Sequence, residues 1–368
     1  MRLTVRLLVG FLVLYFGAVA VIPGVRNAVH RLGAVNPLLL LTGLALEFAA
    51  LLSYSLLTRA ALGEARRTVS LGRVFRIQMS TKALSSIVPG GSAAGSALGY
   101  NLLTLSGVPG PDAGFALATA GLGSAVVLNA IFLVALLVSI PLRGVNPGYA
   151  IAALLGVLLI GAVAALVFGL ISGEGRAERV VRWVARRLRM NDEIAAQGVH
   201  HIVERLEDLF ADRKLLTRVI AWAAANWLLD AAALWVFLRS FGVSTDIDAL
   251  VVAYALANVL AVLPLTPGGL GVIEVALTSA LVGFGLPRSV ALIGVASWRI
   301  ADFILPALLG GALYGTLRVG PWSISRQQHL QRLREVASAD ITVGENALDF
   351  AVRFATRPSP GKSGDIGE

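Results

Sequence analysis

Six ionisable residues stand inside long apolar runs of the sequence: Glu47, Lys82, Asp230, Glu274, Arg299 and Asp302. A charge at membrane depth costs at least a few kcal/mol, so such a residue either serves a site or is held by a partner. Arg299 and Asp302 have the i,i+3 spacing of a helical ion pair, and a structural and a functional use of that pair weigh equally. Even so paired, Arg299 keeps donors for a phosphate. Glu47 and Asp230 read more readily as satisfied structural acids. Two Pro-Gly-Gly triplets, at 89–91 and 267–269, interrupt apolar runs. The proline cannot continue the preceding helix, and the glycines turn the chain so that the N–H groups of the next helical half are presented as an anion site. The chemistry these residues suggest is binding of a phosphate-bearing group. The predicted binding residues are Lys82, Gly90, Gly91, Gly268, Gly269, Glu274, Arg299 and Asp302. Gly95 and Gly99 follow Gly91 at intervals of four and suit close helix packing instead.

Other chemistries find no support. With no cysteine, disulfides, thiolate catalysis and Cys-based metal sites are excluded. His30, His200, His201 and His329 all fall outside the apolar runs, and the doublet lacks the i,i+4 spacing of a helical metal pair. There is no Gly-x-Ser-x-Gly elbow, no nucleotide phosphate loop and no glycosidase carboxylate pair. No catalytic residue, metal or cofactor is therefore expected. Asn101, Asn129, Asn226 and Asn258 are expected to hydrogen-bond between helices.

The elements that carry these residues follow from composition. Of 368 residues, 57% are hydrophobic and 14% charged, and mean hydropathy is +0.78. Soluble domains carry about 25% charge, so a soluble globule is excluded. The apolar runs recur near the ~20 residues that span a bilayer. An all-α polytopic membrane protein is predicted, with full spans at about 36–57, 113–140, 149–171, 216–238 and 289–317. Residues 7–22 form either a first span, the favoured reading, or a signal peptide. The runs 77–106 and 249–286 are broken at the two Pro-Gly-Gly sites into halves too short to cross, and read as re-entrant hairpins. Residues 172–214 read as amphipathic cytoplasmic helices, and 319–368 as a cytoplasmic, partly disordered tail. The excess of 31 Lys and Arg over 22 Asp and Glu gathers in a few connecting segments, which argues for topology and anionic lipid rather than nucleic acid.

The second Pro-Gly-Gly lies 178 residues after the first, and the same shift carries Gly107 onto Gly285 and Pro109 onto Pro287. Arg-rich segments near Arg66 and Arg186 are expected inside, which turns each element of the second unit opposite to its counterpart. The predicted architecture is an inverted-topology repeat with two broken re-entrant helical hairpins: repeat one at about 35–140, repeat two at about 213–318, and a transmembrane domain over 1–318. Inverted repeats with broken helices near the midplane are an architecture of secondary transporters. The shift also places Glu274 on Ser96, Arg299 on Gly121 and Asp302 on Ser124, so one half is charged where the other is small.

The segment 263–274 (LPLTPGGLGVIE), followed by 298–306 (WRIADFILP), resembles the signature of the lysylphosphatidylglycerol synthase transmembrane-region family, a flippase-like membrane domain. The segment 87–91 (IVPGG) resembles that family's first motif. There the first motif commonly continues into an arginine, whereas Ala97, Leu98 and Gly99 stand here; either the headgroup differs or Lys82 supplies the charge. The resemblance implies movement of a polar lipid headgroup between leaflets of the cell inner membrane, with a phospholipid or lipid-linked substrate as ligand. The tail 319–368 is too short for a fused synthase domain, so a separate synthase or transferase stands as candidate partner. The alternative reading is a membrane enzyme or accessory subunit presenting a polyprenyl or glycerophospholipid to a transferase.

Overall fold

The computed structural model of the chain describes residues 36–87, 91–143, 203–261, 269–319 and 323–324, with helical residues 154, 157, 158, 160–162, 164, 165 and 168 besides. Regular structure among the described residues is entirely helical. The helices are α1 (Pro37–Ala61), α2 (Leu71–Ile87), α3 (Gly91–Leu105), α4 (Gly110–Ala118), α5 (Ser124–Arg143), α6 (Arg213–Ser240), α7 (Ile247–Leu260), α8 (Val272–Gly283), α9 (Arg288–Arg299) and α10 (Leu305–Arg318). A π-helical turn at Thr119–Gly123 joins α4 to α5, and another at Ile300–Ile304 joins α9 to α10. The chain divides into two units at Gly315; the second is described at 316–319 and 323–324.

Four helices are long and apolar enough to cross a bilayer: Pro37–Ala61, Gly110–Leu142, Arg213–Ser240 and Arg288–Arg318. They coincide with four of the expected spans. The expected span at 7–22 lies outside the described residues, and the one at 149–171 is described only at isolated helical positions. Leu137 and Leu38 are 72% and 69% exposed on these apolar elements, surface that a bilayer solvates and water does not. Two of the long helices start at a side-chain cap, and the other two start after Pro109 and Pro287. Asn36 Oδ1 accepts the Leu38 N–H at 3.0 Å ahead of Pro37, and Asp212 Oδ1 accepts the Lys214 and Leu215 N–H groups at 2.9 and 3.2 Å.

The two broken runs each give a pair of short helices. Helices α2 and α3 have 17 and 15 residues, α7 and α8 have 14 and 12. At 1.5 Å per residue none of the four reaches across a roughly 30 Å hydrocarbon core. The breaks themselves, 88–90 and 262–268, with Gly90 and Gly268, lie outside the described residues. After each pair comes the same turn. Helix α3 ends with the Val108 N–H on Leu103 O at 3.1 Å and the Gly107 N–H on Thr104 O at 3.0 Å. Helix α8 ends with Leu286 on Leu281 O at 3.1 Å and Gly285 on Val282 O at 2.9 Å. Gly107 and Gly285 hold φ of +90° and +92°, where a side chain is strained, and each residue of one turn lies 178 positions from its equivalent. Pro109 and Pro287 then open α4 and α9.

Small residues set how closely the helices pack. In the α2–α3 hairpin, a Cβ on Gly91 would collide with the Ser85 carbonyl oxygen, one on Gly95 would lie 2.9 Å from Thr81 O, and one on Gly99 3.0 Å from Thr81 Oγ1. The packing use expected for Gly95 and Gly99 thus extends to Gly91. Helix α1 runs along α6, where the bare face of Gly43 receives the Phe237 ring. The main core joins Phe132 of α5, Leu234 and Phe237 of α6, Leu277 of α8 and Trp298 of α9 around the alanine-rich α7. A second cluster joins Leu57 of α1 and Phe115 of α4 to Val219 of α6, and Leu209 and Leu206 of the helical segment 203–211 pack into it. Arg205 fastens that segment: Nε donates to Asp112 Oδ1 at 2.7 Å, and the guanidinium also reaches Leu62 O at 3.1 Å, an end carbonyl of α1. The remainder of the expected amphipathic stretch lies outside the described residues. Asn129 and Asn258 do not bond between helices as expected. Each amide donates to a carbonyl of its own helix, Ala125 O and Tyr254 O, both at 2.9 Å, because the carbonyl one turn back is the nearest acceptor.

Candidate functional site

The six ionisable residues of the apolar runs come together from both halves of the chain. Helix α2 carries Lys82 from the first broken run, and the π turn between α9 and α10 carries Asp302. The Lys82 ammonium donates to Asp302 Oδ1 at 2.7 Å. Arg299, the last residue of α9, donates from its terminal guanidinium nitrogen to Asp302 Oδ2 at 2.7 Å and from Nε to Glu274 Oε1 at 2.8 Å. Its side chain is 3% exposed, so the fork works in a nearly dry setting where charged hydrogen bonds are strong. The ring faces of Trp298 and Phe303 lie 5.7 and 5.5 Å from its guanidinium carbon.

Glu274 has a local duty as well. It stands in the first turn of α8, and its Oε2 accepts the N–H of Gly271, the residue before the helix, at 2.6 Å. One carboxylate thereby caps the second helix of the second broken run and anchors Arg299. Gly269 and Gly271 hold φ of +69° and +81°, so the chain enters α8 in a conformation that glycine alone adopts cheaply. Of the glycines predicted to bind substrate, Gly91 and Gly269 start or precede α3 and α8, while Gly90 and Gly268 lie outside the described residues.

The remaining acids complete the cluster. Asp230 of α6 accepts the Tyr254 hydroxyl on Oδ2 at 2.7 Å and the Trp298 indole N–H on Oδ1 at 2.6 Å. That makes it the satisfied acid the sequence suggested. Glu47 of α1 departs from that reading: it is 1% exposed, and its Oε2 has no hydrogen-bond partner. One oxygen each from Glu47, Asp230 and Asp302 lie within 4.8 Å of one another. Tyr254 meets Trp298 edge-on at 5.9 Å and Trp227 at 6.3 Å, walling the acids with aromatic rings. The Trp227 indole N–H donates to Ser124 Oγ at 2.8 Å, the residue 178 positions before Asp302. Reading the sequence alone missed Tyr254 and Trp298 as donors. A Trp beside a buried Arg was the available signal for Trp298, and nothing in the sequence marks Tyr254. Chemically, the arrangement can bind an anion at Lys82 and Arg299 by exchange with an acid, or hold positive charge among the three clustered carboxylates.

Comparison with known proteins places this chain in a family. Two curated proteins, each described as a UPF0104 membrane protein of Methanothermobacter thermautotrophicus, are 25% identical over 329 residues and 24% identical over 317 residues. These alignments cover 81% and 82% of this chain and 91% of each relative. The family described as lysylphosphatidylglycerol synthase TM region matches residues 4–310, taking in both broken runs and all six residues of the cluster. The chain is a membrane protein that belongs to the lysylphosphatidylglycerol synthase TM region family.

Proposed function

We propose that the protein moves a polar, phosphate-bearing headgroup of a phospholipid or lipid-linked substrate between leaflets by alternating access, without catalysing a covalent step. The observation that carries this reading is the ion pair of Lys82 with Asp302, a base from the first half of the chain on an acid from the second, 2.7 Å apart inside the membrane domain. A phosphate offers oxygen acceptors to the same N–H donors and can take an acid's place on Lys82 or Arg299. Exchange of that kind opens a link between the halves when substrate binds and remakes it when substrate leaves.

The inverted repeat, 35–140 against 213–318 within a transmembrane domain over 1–318, supplies the alternation. Matching turns at Gly107 and Gly285 and matching starts at Gly110 and Arg288 support it. The proposed setting is the cell inner membrane with the tail 319–368 cytoplasmic, beside a separate synthase or transferase that makes or uses the lipid. The test is translocation in reconstituted vesicles of phosphatidylglycerol with a labelled headgroup, followed by an impermeant quencher. Wild type is expected to move the label, and Lys82→Met and Arg299→Gln to slow it at least about tenfold, a loss on the order of 1.4 kcal/mol in the barrier. Equal rates in empty and protein-bearing vesicles would overturn the reading.

A further inference from the structure

The charges of the buried cluster do not cancel. Asp302 takes Lys82 on one oxygen and Arg299 on the other, and Glu274 takes the Arg299 Nε. Two bases thus answer two acids. Asp230 has only the neutral donors Tyr254 and Trp298, and Glu47, 1% exposed, has an oxygen with no partner at all. Two carboxylates remain within 4.8 Å of each other without a base of their own among the described residues. Ionising both in so dry a place sets like charges side by side and leaves one lone-pair set unsatisfied. A single proton resolves both faults: on Glu47 it removes one charge and gives that side chain an O–H to donate to its neighbour.

We propose that Glu47 and Asp230 hold one exchangeable proton between them, forming a proton-binding site at the centre of the membrane domain. The proton comes from water and returns to water, with an O–H bond formed at a carboxylate oxygen on uptake and broken on release. The site faces Asp302 of the π turn, Tyr254 from α7 and Lys82 from α2, with Arg299 and then Glu274 further along the chain of ion pairs. Glu47 is buried, while the side chains of Asp302 and Lys82 are 14% and 34% exposed, so the open side of the cluster lies toward Lys82. A proton suits the pair better than a metal ion. The third carboxylate, Asp302, already carries two bases that repel a cation, and two carboxylates alone underfill a metal's coordination. Loss of the proton leaves a Glu47 carboxylate that competes with Asp302 for the Lys82 ammonium. Release therefore loosens the link between the halves, and this use of the site, as the coupling step, rests on the transport reading above.

The proton itself is tested without any transport measurement. The purified full chain in detergent, in choline chloride, is followed by infrared difference spectroscopy as pH is raised. A carbonyl stretch from a protonated carboxylic acid in dry surroundings is expected, sensitive to H/D exchange and lost at high pH. It should vanish in Glu47→Gln and shift in Asp230→Asn. Should either variant misfold, wild type labelled with carboxyl-13C glutamate is expected to shift the same band, and aspartate label to shift it less. A spectrum with no such band, or one that neither Glu47→Gln nor glutamate label alters, overturns the proposal. Loss of the band when NaCl replaces choline chloride also overturns it and assigns the site to Na+. Because the band is read on protein without substrate, a negative vesicle assay leaves this result standing and the two failures are told apart.

Discussion

Arg299 joins two acids that no other described residue joins, with Nε on Glu274 and a terminal nitrogen on Asp302. Lysine keeps the charge but presents a point rather than a fork, so Arg299→Lys retains one of these bonds at most. A stability loss of about 1–3 kcal/mol is expected, read from thermal unfolding in detergent. Arg299→Met removes the charge altogether and should cost more, about 3–5 kcal/mol, because Asp302 is then left with Lys82 alone and Glu274 with only the Gly271 N–H. Equal losses in the two variants would show that charge does not matter there. The pair Lys82 and Asp302 lends itself to a double-mutant cycle. Lys82→Met and Asp302→Asn should each destabilise, and the double variant should lose less than their sum by at least about 0.5 kcal/mol; strict additivity would deny the pair any energetic part. All six cluster residues were legible in the sequence, since the cost of a charge in lipid depends on the apolar run around it and on nothing distant. Their pairing was not. Lys82 finds its acid 220 residues further on, and Asp230 is held by a hydroxyl and an indole N–H whose positions depend on how α6, α7 and α9 cross. The unpartnered oxygen of Glu47 was hidden for the same reason.

Among the elements, the two helix-ending turns offer the sharpest comparison. A Cβ on Gly107 or on Gly285 would meet nothing within 4 Å, so alanine at either costs only the strain of a positive φ, about 1–3 kcal/mol. Gly107→Ala and Gly285→Ala should therefore lower thermal stability by similar amounts, whereas a clear inequality would show that the turns are not equivalent elements. Gly91→Ala acts differently: its Cβ meets the Ser85 backbone, so the α2–α3 hairpin must part and the loss should exceed that at Gly107. The turns could be read beforehand because a glycine two residues before a proline punctuates a helix by its own chemistry. The π turns at Thr119–Gly123 and Ile300–Ile304 could not, as no residue type signals an extra residue wound into a helix. Asp302 owes its approach to Lys82 to a position inside one of them.

For the molecule as a whole, the distribution of arginine predicts a topology that cysteine placement can check on a sequence without cysteine. A cysteine near Gly144 is expected to react with an impermeant thiol reagent from outside, and cysteines near Arg66 and Arg186 only after permeabilisation. Labelling of all three from outside would overturn the inverted arrangement. The long reach between Lys82 and Asp302 also bears on how the chain is made. Ribosomes add roughly 5–20 residues per second, so a gap of 220 residues keeps Lys82 waiting on the order of 10–45 s for the acid that neutralises it. During that interval the first hairpin has Glu47 as the one acid of the cluster within reach of Lys82, and the ion pair that Lys82 makes in the finished fold is missing. The first half of this protein is then expected to settle only after the second, once the turn that carries Asp302 is made. A chain cut after α5 should leave its hairpin open to protease, and Lys82→Met in that same fragment should close it.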